Sequence, residues 1–168
     1  MSPTTQHDTL APIAHGPGEG EALWFLGGLV TIKASSQATG GGVTVTENLA
    51  RQGFGSPLHV HQREDEWFYV TEGSLTFWVG GRVIDAPAGS FVYGPRGIPH
   101  TFVVTSERAR FLLVTEPAGL DNFIRALAQE AETLTIPPAP TTPPDVERMT
   151  AVAAEYGIDI LGPPGIPA

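Results

Sequence analysis

Residues 53–73, GFGSPLHVHQREDEWFYVTEG, decide how this chain reads. His59 and His61 alternate along a predicted strand, and side chains two apart on a strand leave the same face, roughly 6–7 Å apart along the backbone. Both imidazoles can therefore converge on one ion. Beyond them, Glu66 opens a second alternation, Glu66, Phe68, Val70. A carboxylate sharing the face of Phe68 and Val70 is costly to bury unless a positive charge pairs with it, and a metal ion supplies that charge. Taken singly, Glu66 reads as readily as part of a solvated acidic loop with Glu64 and Asp65. Downstream, His100 heads a third alternation, His100, Phe102, Val104, again a polar group on an otherwise apolar face. The remaining two of the five histidines, His7 and His15, lie near the N-terminus, where solvated side chains are expected.

Outward from this segment, the 20 glycines and 16 prolines divide the chain into short apolar runs. Strand-like stretches fall at 23–34, 43–49, 57–61, 66–71 and 74–79, then at 82–85, 90–93, 100–104 and 110–115. Gly80-Gly81 supplies a two-residue hairpin turn, because glycine accepts the positive φ such turns require. Short, evenly spaced strands predict an all-β sandwich or closed barrel. No helical pattern interrupts them before Glu116, which argues against an α/β arrangement.

After Glu116 the period changes. Asp121 is a candidate cap for a helix carrying Phe123, Ile124, Leu127, Ala131 and Leu134. Five prolines within 136–144 predict an extended linker. A second amphipathic helix follows, with Val146, Met149, Val152 and Tyr156 on one face and Gly157 as its stop. The last eleven residues are expected to be irregular coil, and residues 1–20 a loosely attached arm. The helices are expected on the outside of the barrel or against a second subunit, with closure of the barrel mouth as the alternative.

Composition removes several function classes. The formal net charge is −9, which argues against nucleic acid or an anionic membrane as partner. No apolar run approaches the roughly 20 residues that span a bilayer. Residues 1–20 show no secretory pattern, so a cytoplasmic location is expected. Cysteine is absent, so any metal must be held by nitrogen and oxygen.

The framing glycines and prolines resemble the cupin superfamily. Its first motif, G-x5-HxH-x3,4-E-x6-G, is matched by Gly53, His59, His61, Glu66 and Gly73. Its second, G-x5-PxG-x2-H-x3-N, is matched by Gly89, Pro95, Gly97 and His100, with Val104 where the family often has asparagine. That last position is not a metal ligand, so the departure touches a structural hydrogen bond rather than the site. The resemblance implies a double-stranded β-helix (jelly-roll) barrel over 21–118, between an arm at 1–20 and a C-terminal helical extension at 119–168. It also implies one mononuclear metal site held by His59, His61, Glu66 and His100, with Glu66 serving as a base in some relatives. Three imidazoles and a carboxylate leave open positions on a six-coordinate ion, a set that suits Ni, Mn, Fe or Co and accommodates Cu or Zn.

Further stretches are similar to bacterial single-cupin quercetinase-like proteins: Ala22-Leu23-Trp24-Phe25, the run 29–34, the run 57–66, and Tyr156-Gly157-Ile158. This implies a dioxygenase that opens the heterocyclic ring of a flavonol or similar aromatic substrate with O2. Glu66 would take or hold the substrate's hydroxyl proton, a role suited to a carboxyl raised by burial. Phe68, Phe102 and Phe111 are candidates to line the substrate pocket, or equally to form ordinary barrel core. Two alternatives keep the fold: a Lewis-acid isomerase or cyclase that uses no O2, and a non-catalytic binder of small molecules. The resemblance also implies a homodimer.

Overall fold

Alternation of apolar and polar residues on both sides of the histidine segment stacks two sheets on one core. The computed structural model describes residues 10–168. The first strands are β1 (Glu21–Phe25), β2 (Gly28–Ala34), β3 (Thr44–Arg51), β4 (Pro57–His61), β5 (Asp65–Glu72) and β6 (Ser74–Val79). β7 (Arg82–Pro87), β8 (Phe91–Gly94), β9 (His100–Val104) and β10 (Arg108–Glu116) follow. Helix α1 (Leu120–Leu127), the short β11 (Gln129–Glu130), helix α2 (Val146–Glu155) and β12 (Ile158–Pro164) end the chain. One sheet has the order β11-β1-β2-β3-β10-β5-β8 and the other β12-β4-β9-β6-β7, with antiparallel neighbours throughout. The architecture is the expected all-β jelly roll with short C-terminal helices. Among the described residues, no helix is long and apolar enough to cross a membrane.

The predicted alternation holds where it matters. On β5, Glu66, Phe68 and Val70 are buried while Tyr69 faces outward. Phe68, Val70 and Phe111 from one sheet meet Leu75, Phe77 and Phe102 from the other, forming the main core. Gly80 and Gly81 take positive φ in the β6–β7 hairpin, as their sequence predicts.

Five expectations are corrected. The run 23–34 is a hairpin rather than one strand: Leu26 and Gly27 both take positive φ, and Phe25 pairs with Gly28. Asp121 does not cap α1; Gly119 does, and Asp121 is fully buried inside the first turn. That helix ends at Leu127, before Ala131 and Leu134, because the next residues are drawn onto the open edge of β1. There the Ala131 N–H donates to the Ala22 carbonyl at 3.0 Å. Residues 158–164 are not coil but β12, which pairs along β4. Register shifts at Gly162 and Pro164 fit prolines that have no N–H to give a ladder. The arm is also anchored within its described part, since Lys33 Nζ donates to the carbonyls of Gly16 (3.1 Å) and Glu19 (2.7 Å). His15 is exposed as expected, and His7 lies outside the described residues.

A second core joins Leu23, Val30 and Ile32 to Leu120, Phe123 and Ile124 of α1, Ala153 of α2 and Ile158 of β12. Asp145 caps α2 by accepting from the Arg148 N–H, and Gly157 stops it with φ 73°. Asp121 locks α1 to the barrel. Its carboxylate accepts from Thr44 Oγ1 (2.9 Å), the Ser36 N–H (3.1 Å), Ser36 Oγ (2.9 Å) and Arg125 Nη1 (2.7 Å). Burial by itself raises this carboxyl, but those four donors outweigh it and hold it below the ordinary value.

Such a group stabilises the fold fully above its unfolded value of about 3.9, and that stability is lost as pH falls through the lower native value. Asp121→Ala is therefore expected to cost about 3 kcal/mol at neutral pH in urea unfolding, because it strands buried donors. The difference from the wild-type chain should shrink as pH falls from about 5 toward about 2.

Candidate metal centre

Three strands and one pairing register bring the polar residues together. His59 and His61 leave the same face of β4, and His100 on β9 is the direct register partner of His59. On β5, Glu66 pairs with Gly94, which lies against the His100 ring: a Cβ there would be in ordinary contact with it at 3.4 Å. β12 closes the other side, with Ile158 opposite His61 and Ile160 opposite His59. All four side chains are buried, and one ligand atom from each lies within 4.8 Å of the others.

The ring nitrogens divide their work. His59 Nδ1 lies 2.8 Å from the Pro57 carbonyl, and His100 Nδ1 lies 2.9 Å from the Ile98 carbonyl. A carbonyl only accepts, so each Nδ1 carries the proton and Nε2 is the atom turned inward. His61 reaches the same state differently, with Nδ1 against Glu64 Oε2 at 2.8 Å. The three Nε2 atoms stand 2.7 Å (His100), 3.4 Å (His61) and 3.9 Å (His59) from the Glu66 carboxylate.

Charge explains the cluster. Burial alone would raise Glu66, but the His61 charge and the bonds from His100, His59 and His61 hold it well below the usual range. A carboxyl raised by burial would suit the proton-taking role read from the sequence; here the facing imidazoles outweigh burial. Burial would likewise lower His61, yet Glu66 and Glu64 push it up to about 10, while burial holds His59 below its ordinary value. Among the described residues, no lysine or arginine forms an ion pair with Glu66. A buried carboxylate, three inward Nε2 atoms and anchored Nδ1 atoms fit a single metal ion.

Of the acidic run, only Asp65, the first residue of β5, is left partly exposed. It pairs with Arg96, accepting from its backbone N–H (2.8 Å) and from Nη2 (2.9 Å), and this holds its carboxyl down at about 2. Glu64 was missed. It is only 4% exposed and supports His61 from behind. An acidic residue three positions after a ligand histidine was the available signal, masked by its charged neighbours. Val104, at the departed motif position, is packed in the main core.

His59, His61 and Glu66 of the cluster line a mostly apolar pocket whose lining includes Phe68, Phe102 and Phe111. Those three rings are also core: Phe102 packs edge-on against Phe68 (5.8 Å) and Phe111 (5.3 Å). Sequence reasoning missed the rest of the lining, which includes Phe25, Phe54 and Ile160. Leu120, Phe123 and Ile124 of α1 and Met149 of α2 also line it, so the helices close the barrel mouth rather than simply coat its outside.

Residues 45–115 match the family described as Cupin domain. A quercetin 2,3-dioxygenase of Bacillus subtilis is 28% identical over 125 residues, 74% of this chain. The chain spans only 37% of that enzyme's length. An RmlC-like cupin from Shewanella frigidimarina superposes with a TM-score of 0.57 at 17% identity, covering 68% of this chain and 99% of its own. A predicted oxalate decarboxylase from Thermotoga maritima gives 0.53 at 21% identity, covering 64% and 99%. These two show the fold.

His100→Ala removes one Nε2 and the carboxylate's shortest contact. Elemental analysis is expected to fall from about one ion per chain to none, consistent with loss of a first ligand. An unchanged metal content in that variant would exclude this cluster as the centre.

Proposed function

Because residues 45–115 of this chain are a cupin domain, we propose that it is a metal-dependent dioxygenase that opens the heterocyclic ring of a flavonol or a similar planar aromatic substrate. The observation that supports this most is that His59, His61 and Glu66 of the buried cluster line an aromatic-rich, mostly apolar pocket. Such a pocket suits a flat aromatic ligand with one polar edge directed at the cluster. Similarity to a quercetin 2,3-dioxygenase over 74% of the chain favours oxygen chemistry over other reactions in the same fold.

A divalent transition ion held by the three Nε2 atoms, with Glu66 beside it, would supply Lewis acidity toward a hydroxyl and redox capacity toward dioxygen. The protein's own groups do the rest. Phe68, Phe102 and Phe111 on the barrel side and Phe123 and Met149 on the helix side bind the rings and exclude water. Glu66 receives the hydroxyl proton at a carboxylate oxygen. Overall, the substrate takes up one O2 and releases one CO, and the ring-opened ester retains every other atom.

Protein produced with Fe, Mn, Co or Ni as the single supplement is expected to consume oxygen in an electrode cell when quercetin is added, with equimolar CO. No uptake with any metal form sinks the dioxygenase reading and leaves a Lewis-acid isomerase or cyclase. Glu66→Gln is expected to keep its metal and lose about 10²–10⁴-fold in turnover. Loss of the metal in the same variant would assign Glu66 a ligand role instead.

A further inference from the structure

Each ligand histidine is oriented through Nδ1, but only His61 relies on a side chain for it. We infer that Glu64 is a positioning residue of the metal centre: it accepts the Nδ1–H of His61 and so turns Nε2 of that ring toward Glu66 and the ion. The inference rests on the metal-centre reading above.

Three observations carry it. Glu64 is buried with its carboxylate 2.8 Å from His61 Nδ1, although it belongs to a strand-connecting turn where carboxylates are ordinarily solvated. The turn is fixed from outside. The Gln62 N–H donates to the Gly157 carbonyl at 2.9 Å, and Arg63 Nη2 donates to the Tyr156 carbonyl at 2.8 Å. The carboxylate is also closed in from above by Gly119, where a Cβ would stand 2.7 Å from Glu64 Oε1. Glycine at 119 therefore makes room for the carboxylate, at the point where α1 begins its course over the substrate pocket. The far end of a flexible side chain yields first, so a larger residue at 119 meets Glu64 Oε1, and it is also strained by the φ of 159° that glycine holds there.

A metal-bound imidazole held by a carboxylate at its other nitrogen is fixed in tautomer and ring orientation, and removing such a partner weakens metal binding about 10–100-fold. The test compares Glu64→Ala, Glu64→Gln and Gly119→Ala in the full chain, using Zn²⁺ alone as the probe. Affinity is read by competition with a chromophoric chelator, and the slowly exchanging imidazole Nδ1–H protons are read by proton NMR of the metal-free protein.

Glu64→Ala is expected to weaken Zn²⁺ binding about 10–100-fold and to lose the His61 Nδ1–H signal alone. Glu64→Gln, whose amide oxygen accepts the same bond, should keep the signal and stay within a few-fold of the wild type. Gly119→Ala should move in the direction of Glu64→Ala. Wild-type affinity in Glu64→Ala overturns the inference, as does Glu64→Gln binding as weakly as Glu64→Ala. If Glu64→Ala does not fold, the other two variants decide. If the wild-type chain binds no metal, the metal-centre reading fails, and the imidazole signal still reports whether Glu64 holds His61.

Discussion

A carboxylate buried among three imidazoles is the constraint on which this structure turns. Glu66 is 3% exposed, and the only side chains that form ion pairs with it among the described residues are His59, His61 and His100. An unpaired carboxylate at that depth would be prohibitively unfavourable, so the fold must hold all three rings in place. The pairing of His59 with His100 and of Glu66 with Gly94 sets their relative positions. A one-residue slip in either ladder would turn these side chains to the opposite face.

Much of the surrounding framework serves that geometry. Asp65 grips Arg96 in the loop that leads to His100, while main-chain carbonyls at 57 and 98 orient two of the rings. β12 borders β4 along both histidines, so the C-terminal segment helps to build the centre. The helices add the apolar roof. The pocket thus joins a polar end fixed by strand register to an apolar end contributed by elements far apart in the chain.

The electrostatics show why burial alone is a poor guide to a carboxylate's state. Desolvation acts on Glu66 and Asp121 in the same direction, raising both. In each case the donors facing the group win, and the carboxylate stays ionised below its usual range. Glu66 is surrounded by rings that can exchange a proton for a metal, whereas Asp121 is held by hydroxyls, one backbone N–H and Arg125. One arrangement suits chemistry and the other suits rigidity.

The sequence by itself determined the strand alternation, the Gly80-Gly81 hairpin, the stop of α2 at Gly157, and the candidacy of His59, His61, Glu66 and His100. Period-two burial and turn chemistry are local properties, and they can be read from neighbours along the chain. Only the tertiary structure decided that Glu64 is buried behind His61 while Asp65 stays at the surface, since adjacent acidic residues look alike until their partners are known. It also decided that Asp121 locks α1 rather than capping it, and that residues 158–164 form a strand despite their prolines. In each case the partner lies far away in sequence: Thr44 and Ser36 for Asp121, and the open edge of β4 for β12. The helices join the lining of the pocket for the same reason, because an amphipathic stripe specifies that a face must be buried but not what buries it.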